Sequence, residues 1–172
     1  MFPPWTSPEA AAEILKNGGI VAIPTETVYG LAGNAFDPKA LAKIFEAKKR
    51  PHFDPLIVHI SAFDEIQEVV SEIPEKARAL AKAFWPGPMT LVLPKTERIP
   101  DLATSGLPTV AVRFPNHPVA QKIIRLSGVP LAAPSANLFQ HVRPTPAQHV
   151  AEQLGNVIDG IVDGGSCQVG VE

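Results

Sequence analysis

The sequence feature that most constrains the fold is the stretch Ala47–Ile60, AKKRPHFDPLIVHI, where a helix pattern changes within a few residues into a strand pattern. Three cations, residues 48–50, end the helix pattern, and Pro51 stops it because proline lacks an amide hydrogen. The apolar run 56–60 is short and β-branched, as strands are. Cations between a helix end and a strand are placed to bind an anion, although a helix can also carry them to complement its own dipole.

Helix and strand patterns alternate along the rest of the chain. Apolar runs predict strands at 20–23, 56–60, 89–93, 109–114, 131–133 and 157–162. Capping residues and helical spacing predict helices that begin at Ser7, Asp37, Ser61, Pro74, Asn116 and Thr145. Residues 95–107 read as a loop. Because two helices follow one another between 62 and 84, we predict one α/β domain, residues 1–172, with a mixed and twisted sheet.

Composition narrows the class of protein. Hydrophobic residues make up 45% of the chain and charged residues 19%, as in soluble globular proteins. The apolar runs are shorter than the roughly 20 residues of a membrane span, and the N-terminus does not resemble a signal peptide. The single cysteine, Cys167, excludes an intrachain disulfide and an all-cysteine metal site. We therefore predict a cytoplasmic protein.

The charge distribution leaves an RNA-binding module open as an alternative. A net charge of −2 argues against a strongly basic nucleic-acid module. Between Arg98 and Arg143, however, five cations stand against one acid, Asp101. Such a surplus on a concave face would attract tRNA or double-stranded RNA, whereas the low aromatic content of 6% does not favour base stacking.

Three loops place small hydroxyl-bearing residues beside a strand: Thr25–Thr27, Thr104–Gly106 and Ser135–Asn137. In open α/β sheets, ligands collect at loops outside the strand ends. The sequence has no Walker loop, GxGxxG turn or G-x-S-x-G elbow, and its five histidines lack metal-binding spacing. His59, at the end of a strand, is expected to be a hydrogen-bonded wall residue. The residues alone thus predict a ligand site without identifying its ligand.

Six ordered segments together resemble one known family: PTETVYGLAGNA (24–35), AKKRP..DPLIVHI (47–60), WPGPMTLVL (85–93), TVAVRFPNHP (109–118), PSAN (134–137) and DGG.C.VGVE (163–172). They are similar to the YrdC-like domain family. The resemblance implies a twisted mixed sheet flanked by helices, with a concave basic cavity. It also implies synthesis of threonylcarbamoyl-AMP and pyrophosphate from L-threonine, bicarbonate and ATP, with Mg²⁺. The adenylate then serves modification of the adenosine beside the anticodon of tRNA by a downstream threonylcarbamoyl transferase complex.

The resemblance further implies which residues bind each substrate. The K-x-R of the family becomes Lys48 and Arg50, the expected catalytic pair. The ATP side would comprise these two and five further residues: Asp54, Thr109, Ser135, Asn137 and Arg143. The threonine side would comprise Thr27, His59, Arg113 and Ala133. Arg113 would pair with the amino-acid carboxylate, since a guanidinium can bind both carboxylate oxygens.

This sequence departs from the family pattern at three places. Asp54 replaces the usual Asn and places a negative charge beside a polyphosphate. The segment 139–143 replaces the commoner S-G-x-x-S, so Arg143 supplies a cation in place of a hydroxyl. The family continues after the position of Glu172 with Ser-Thr and a further strand, so we expect its last C-terminal segment to be absent from this chain. A relative that binds nucleotide but acts on another carbamoylated substrate is a second alternative.

Overall fold

The sheet carries the architecture in the computed structural model, which describes residues 4–51, 54–137 and 146–165. Its strands are β1 (Val21–Ile23), β2 (Gly30–Asn34), β3 (Ile57–His59), β4 (Thr90–Pro94), β5 (Thr109–Arg113), β6 (Leu131–Ala132) and β7 (Gly160–Ile161). They form one seven-stranded sheet in the order β4-β5-β3-β6-β2-β1-β7. The β3–β5 and β1–β7 pairs are parallel and the other pairs are antiparallel. The predicted mixed sheet is confirmed.

Seven α-helices and one 3₁₀ turn, Phe63–Glu65, connect these strands within the described residues. The helices are α1 (Pro8–Lys16), α2 (Pro38–Lys48), α3 (Ile66–Val69), α4 (Glu75–Phe84), α5 (Asp101–Thr104), α6 (Pro118–Ser127) and α7 (Ala147–Leu154). The predicted caps of the first two are confirmed, because the side chain of Ser7 accepts from the backbone of Ala10 and that of Asp37 from the backbone of Lys39. None of the described helices is long and apolar enough to cross a bilayer.

Strand β2 was not predicted, although it lies near the centre of the sheet between β1 and β6. Its sequence, GLAGN, contains two glycines, which strand patterns disfavour. The structure explains both glycines by close packing. A Cβ on Gly30 would lie 3.2 Å from the Cβ of Ala133, and one on Gly33 would lie 3.0 Å from Cδ1 of Ile44.

Three other segments differ from prediction. The helix expected from Ser61 is split into the 3₁₀ turn and α3, and the Ser61 hydroxyl donates to the Glu65 carboxylate at 2.5 Å. The predicted loop at 95–107 contains α5. Strand β7 is shorter than the expected 157–162, because Val157 is exposed outside the sheet. The expected start of the last helix, Thr145, lies outside the described residues.

The two faces of the sheet are covered differently. On one face, β5 contributes Val110 and Val112 to the larger core, which is completed by side chains of α2, α3, α4, α5 and α7. On the other face, α1 and α6 build a smaller core over β1, β2 and β6. Along β4 and β5 this second face is more open: Ala111 is partly exposed, and its direct partner Val92 is 64% exposed. We call this second side of the sheet the open face.

Candidate ligand-binding site

Strand register brings four of the predicted residues onto the open face. His59 on β3 pairs directly with Arg113 on β5, and directly paired residues point to the same side of a sheet. Thr109 shares that side because side chains alternate along a strand. Ala133 follows β6, and its amide donates to the Ile57 carbonyl at 3.0 Å, which continues the β3–β6 ladder. Sheet pairing thus groups residues that are far apart in the sequence.

A second group of predicted residues surrounds the buried end of α2. Lys48 is its last residue and is only 1% exposed. The Lys48 ammonium donates to the backbone carbonyl of Ser135 and, at 3.0 Å, to the Asn137 side-chain oxygen. The Ser135 hydroxyl donates to the same Asn137 oxygen at 2.7 Å. Three residues predicted on the ATP side are therefore in direct contact.

The local backbone explains why Lys48 is buried whereas the next cation, Lys49, is exposed. Lys49 adopts a left-handed conformation with φ of 55°, and its amide donates to the Glu46 carbonyl. The Arg50 amide donates to the Phe45 carbonyl, which completes a Schellman-type helix end. A non-glycine residue in this conformation costs roughly 1–2 kcal/mol. The turn buries Lys48 and leaves Lys49 exposed, so the expected cluster of three cations is divided.

Arg50 and Asp54, both predicted on the ATP side, pair with each other. Arg50 Nη2 lies 3.0 Å from Asp54 Oδ2 and donates to the Pro55 carbonyl at 2.9 Å. The arginine side chain is 14% exposed and the aspartate side chain 37%. The negative charge of Asp54 therefore neutralises part of the cation beside it. This arrangement holds the guanidinium near the start of β3.

Two of the three predicted hydroxyl loops adjoin one another. The Tyr29 carbonyl accepts from the Ala136 amide at 2.7 Å, which ties the loop after β1 to the loop after β6. Within the first loop, the Thr25 hydroxyl donates to the Val28 carbonyl at 2.6 Å. Since its only proton is used there, the 3.1 Å contact with Thr27 must be a hydrogen bond from the Thr27 hydroxyl. Thr27 is thus held in place by its own loop.

The third loop, Thr104–Gly106, has a structural role in what the structure describes. It precedes β5, whereas Arg113 ends that strand. The Thr104 hydroxyl donates to the Leu107 carbonyl at 2.9 Å and stabilises the turn between α5 and β5. The Thr104 hydroxyl therefore donates its proton within its own turn.

His59 is confirmed as a buried, hydrogen-bonded wall residue. Its Nδ1 lies 3.1 Å from the Ile57 carbonyl, so this nitrogen carries the proton and donates. Burial, together with the nearby charge of Arg113, lowers the pKa of His59 to about 3. At neutral pH the imidazole is uncharged, so it can exchange hydrogen bonds with a ligand without adding a charge.

Glu26 was not among the residues predicted for the site, although it contacts one of them. One carboxylate oxygen of Glu26 forms a buried ion pair with Arg113, and the other accepts from the Asn116 amide at 2.6 Å. Arg113 was expected to pair with a substrate carboxylate, and the structure pairs it with a carboxylate of the protein. The available signal was an ionisable residue between Thr25 and Thr27, in a loop that directly follows a buried strand.

Several predicted features lie outside the described residues or lack support within them. Arg143, Cys167 and Glu172 fall in the undescribed ranges. The described residues contain no group of three His, Cys, Asp or Glu side chains that could hold a metal.

Three of the cations on which the RNA-binding alternative depends form ion pairs with carboxylates: Arg98 with Glu68, Lys122 with Glu9, and Arg113 with Glu26. This pairing reduces the positive surplus on which that alternative depends.

Comparison with known proteins gives close relatives over almost the whole chain. A threonylcarbamoyl-AMP synthase of Pyrococcus abyssi is 54% identical over 162 residues, which are 94% of this chain and 48% of that protein. A threonylcarbamoyl-AMP synthase of Bacillus subtilis is 52% identical over 163 residues, 94% of this chain and 47% of the relative. The chain thus spans about half the length of these curated relatives.

The fold agrees with these relatives. The crystal structure of P. abyssi Sua5 complexed with L-threonine superposes with a TM-score of 0.94 at 53% identity, covering 96% of this chain and 48% of that one. The Sua5/YciO/YrdC family model, described as telomere recombination, matches residues 13–172. One conclusion follows from the alternating helices and strands, the contacts of Lys48 with Ser135 and Asn137, and the sequence similarity. The chain belongs to the Sua5/YciO/YrdC family, the family of the YrdC-like domain.

Proposed function

We propose that this chain catalyses threonylcarbamoyl-AMP synthesis, converting L-threonine, bicarbonate and ATP into threonylcarbamoyl-AMP and pyrophosphate. The observation that carries the proposal is the contact of Lys48 with Ser135 and Asn137 in the loop after β6. This loop starts at Ala133, which lies on the same face of the sheet as His59 and Arg113. The names of the curated relatives and the threonine bound to P. abyssi Sua5 support the same reaction. The RNA-binding alternative gains no comparable support.

On the ATP side, Lys48 and Arg50 would contact the phosphates. A buried ammonium that already meets oxygen acceptors is suited to phosphate oxygens, and the Arg50 fork can bind two of them. Ser135 and Asn137 would fix the lysine and share the nucleotide contacts, with Thr109 and Arg143 as further contacts. Asp54 would leave Arg50 partly neutralised until the polyphosphate arrives.

On the threonine side, Arg113 would bind the amino-acid carboxylate. His59, Thr27 and the backbone near Ala133 would surround the rest of the amino acid. The uncharged imidazole of His59 and the hydroxyl of Thr27 offer hydrogen bonds of the kind that a threonine hydroxyl can complete. Such a pocket discriminates against analogues that lack the hydroxyl, because its buried polar groups would lose their partner.

The chemistry requires positioning and neutralisation of phosphate charge. Bicarbonate takes up a proton and splits into carbon dioxide and water, and the threonine amine attacks the carbon dioxide and releases a proton to form a carbamate. A carbamate oxygen then attacks the α-phosphate, and the bond to pyrophosphate breaks as pyrophosphate leaves. Lys48 and Arg50 would stabilise the charge that develops on the phosphates. Holding carbamate and phosphate together supplies much of the acceleration. The proposed step uses no nucleophile of the protein.

Magnesium, partner proteins and location are further parts of the proposal. Mg²⁺ would arrive with the triphosphate, whose oxygens are the kind of ligand that this ion prefers. The product would serve threonylcarbamoylation of tRNA by a downstream transferase complex, in the cytoplasm. Residues 1–172 would form one YrdC-like domain that provides the adenylation site.

Lys48→Met tests the proposal with a matched control. The substitution keeps the length of the side chain and removes the ammonium, so pyrophosphate release should fall about a hundredfold or more. Lys49→Met removes the neighbouring exposed cation and should leave the rate unchanged. Pyrophosphate release is measured with saturating threonine, bicarbonate and ATP, and circular dichroism checks that both variants are folded. Equal rates in the two folded variants would contradict the proposed role of Lys48.

A further inference from the structure

The Glu26–Arg113 ion pair is the buried charged contact that the proposed substrate roles leave unexplained. The arginine side chain is 1% exposed and the glutamate side chain 10%. The two residues are 87 positions apart, so the pair joins the loop after β1 to the end of β5. Desolvation of two charges is costly unless their geometry is fixed and their remaining hydrogen bonds are satisfied. The pair therefore fixes the geometry between the loop after β1 and the end of β5.

Glu26 is anchored independently of the arginine. Its second carboxylate oxygen accepts from the Asn116 amide at 2.6 Å. The residues on either side of it are fixed as well, because the Thr25 hydroxyl binds the Val28 carbonyl and the Thr27 amide donates to Thr25 Oγ1. A carboxylate with such anchors can impose an orientation on a partner.

That partner is the planar guanidinium of Arg113, which ends β5 on the open face. A charge-assisted bond from one guanidinium nitrogen to a fixed carboxylate restricts both the rotamer and the plane of the group. The neighbouring His59, paired directly with Arg113 across the sheet, is uncharged at neutral pH. Glu26 thus supplies a charged contact that restricts the direction of the arginine.

We propose that Glu26 is a positioning residue for substrate binding, holding the Arg113 guanidinium in the orientation that receives the carboxylate of threonine. The inference rests on the proposed function and deepens it. It also gives Glu26 a role in selectivity, because a pre-oriented guanidinium favours a ligand that carries a planar carboxylate over one that does not. Glu26 acts through Arg113 and does not itself touch the substrate.

Glu26→Gln tests this role, since it keeps the size of the side chain and an acceptor for the Asn116 amide while removing the charge. The dissociation constant for L-threonine, measured by calorimetry, should rise about tenfold or more, and the KM for threonine should rise with it. The KM for ATP should stay within about twofold, because the phosphate contacts are elsewhere. Glu68→Gln, which alters the exposed pair with Arg98, is the matched control and should change neither constant.

L-Threoninamide separates positioning from a merely structural role. This ligand lacks the carboxylate, so wild type and Glu26→Gln should bind it equally weakly. The proposal would be overturned if Glu26→Gln lost the same affinity for threonine as for threoninamide, or the same affinity for threonine as for ATP. Unchanged threonine affinity in the folded variant would overturn it too.

A second variant, Glu26→Asp, is used if Glu26→Gln does not fold. Glu26→Asp keeps the charge but shortens the side chain by one methylene. It should therefore also weaken the binding of threonine more than the binding of threoninamide. If neither variant folds, the pair is a structural tie and the proposal is wrong. Failure of the wild-type chain to bind threonine at all would instead contradict the proposed function, so the two failures are distinguishable.

Discussion

The two arginines of the site are each paired with a carboxylate, but in different surroundings. Arg50 pairs with Asp54, four residues along the chain, and the two side chains are 14% and 37% exposed. Arg113 pairs with Glu26, which is distant in sequence, and both side chains are almost completely buried. An ion pair near solvent contributes little to stability, typically about 0–1 kcal/mol, and its arginine can exchange one anion for another. A buried pair is costly to break.

The difference in burial gives Arg50 and Arg113 different properties as anion-binding groups. The Arg50 side of the site is suited to an anion that binds and leaves, as a polyphosphate must. The Arg113 side is suited to a fixed direction of binding, because its carboxylate partner is anchored on a second backbone amide. We therefore expect substitutions on the two sides to have unequal effects on stability and different effects on the two substrates.

Arg113→Met should have the largest effect on stability. It leaves the Glu26 carboxylate buried without its cation, which costs about 3–5 kcal/mol in comparable cases. The free energy of unfolding is measured by urea denaturation. The double variant Glu26→Gln/Arg113→Met removes both charges and keeps an acceptor for Asn116, so it should recover most of the stability without recovering threonine binding. A loss below about 1 kcal/mol in the single variant would show that the buried pair behaves like an exposed one.

Acid should destabilise the buried side through His59. Its pKa is lowered to about 3 in the folded protein from an ordinary value of 6.5, so the unfolded chain binds the proton more tightly between these values. Stability is therefore unaffected by this group above pH 6.5 and falls as the pH drops from there toward 3, by about 2 kcal/mol at pH 5. Urea denaturation of wild type and His59→Gln between pH 7 and 4 measures the difference. Identical pH slopes would contradict the lowered pKa.

Asp54→Asn should have the smallest effect. Asp54 itself is 37% exposed and can be solvated after the change, so the free energy of unfolding should fall by only about 1 kcal/mol. Removing a negative charge from the ATP side should lower the KM for ATP by a few fold and leave the KM for threonine unchanged. Steady-state pyrophosphate release gives both constants. A loss of stability comparable to that of Arg113→Met would remove the distinction between the two sides.

The contrast also explains what the sequence could and could not predict. Apolar runs and capping residues predicted most helices and strands because those signals are local. Arg50 and Asp54 are only four residues apart, so the chain itself keeps them close, although their pairing was not predicted. Glu26 meets Arg113 only because β1, β2, β6, β3 and β5 lie side by side in that order, which no local pattern encodes.

Two further predictions, for the glycines of β2 and for the cations at the end of α2, differ from the structure for separate physical reasons. Strand β2 was missed because its glycines weaken the strand pattern, whereas in the structure a Cβ on Gly30 would crowd the Cβ of Ala133 at 3.2 Å. The three cations at the end of α2 were treated as one cluster. The left-handed backbone at Lys49 separates them, and a sequence of ordinary residues does not reveal that conformation. Tertiary packing explains the glycine, whereas the helix-end hydrogen bonds of Lys49 and Arg50 explain the divided cations.

Pyrophosphate release by the 172-residue chain, with threonine and bicarbonate omitted in turn, tests the central claim most directly. The account predicts release only when ATP, threonine and bicarbonate are all present, with threonylcarbamoyl-AMP detected by mass spectrometry. Release that proceeds equally without threonine, or with another carbamoylated substrate in its place, would contradict threonylcarbamoyl-AMP synthesis. So would the absence of release from a chain that binds both ATP and threonine.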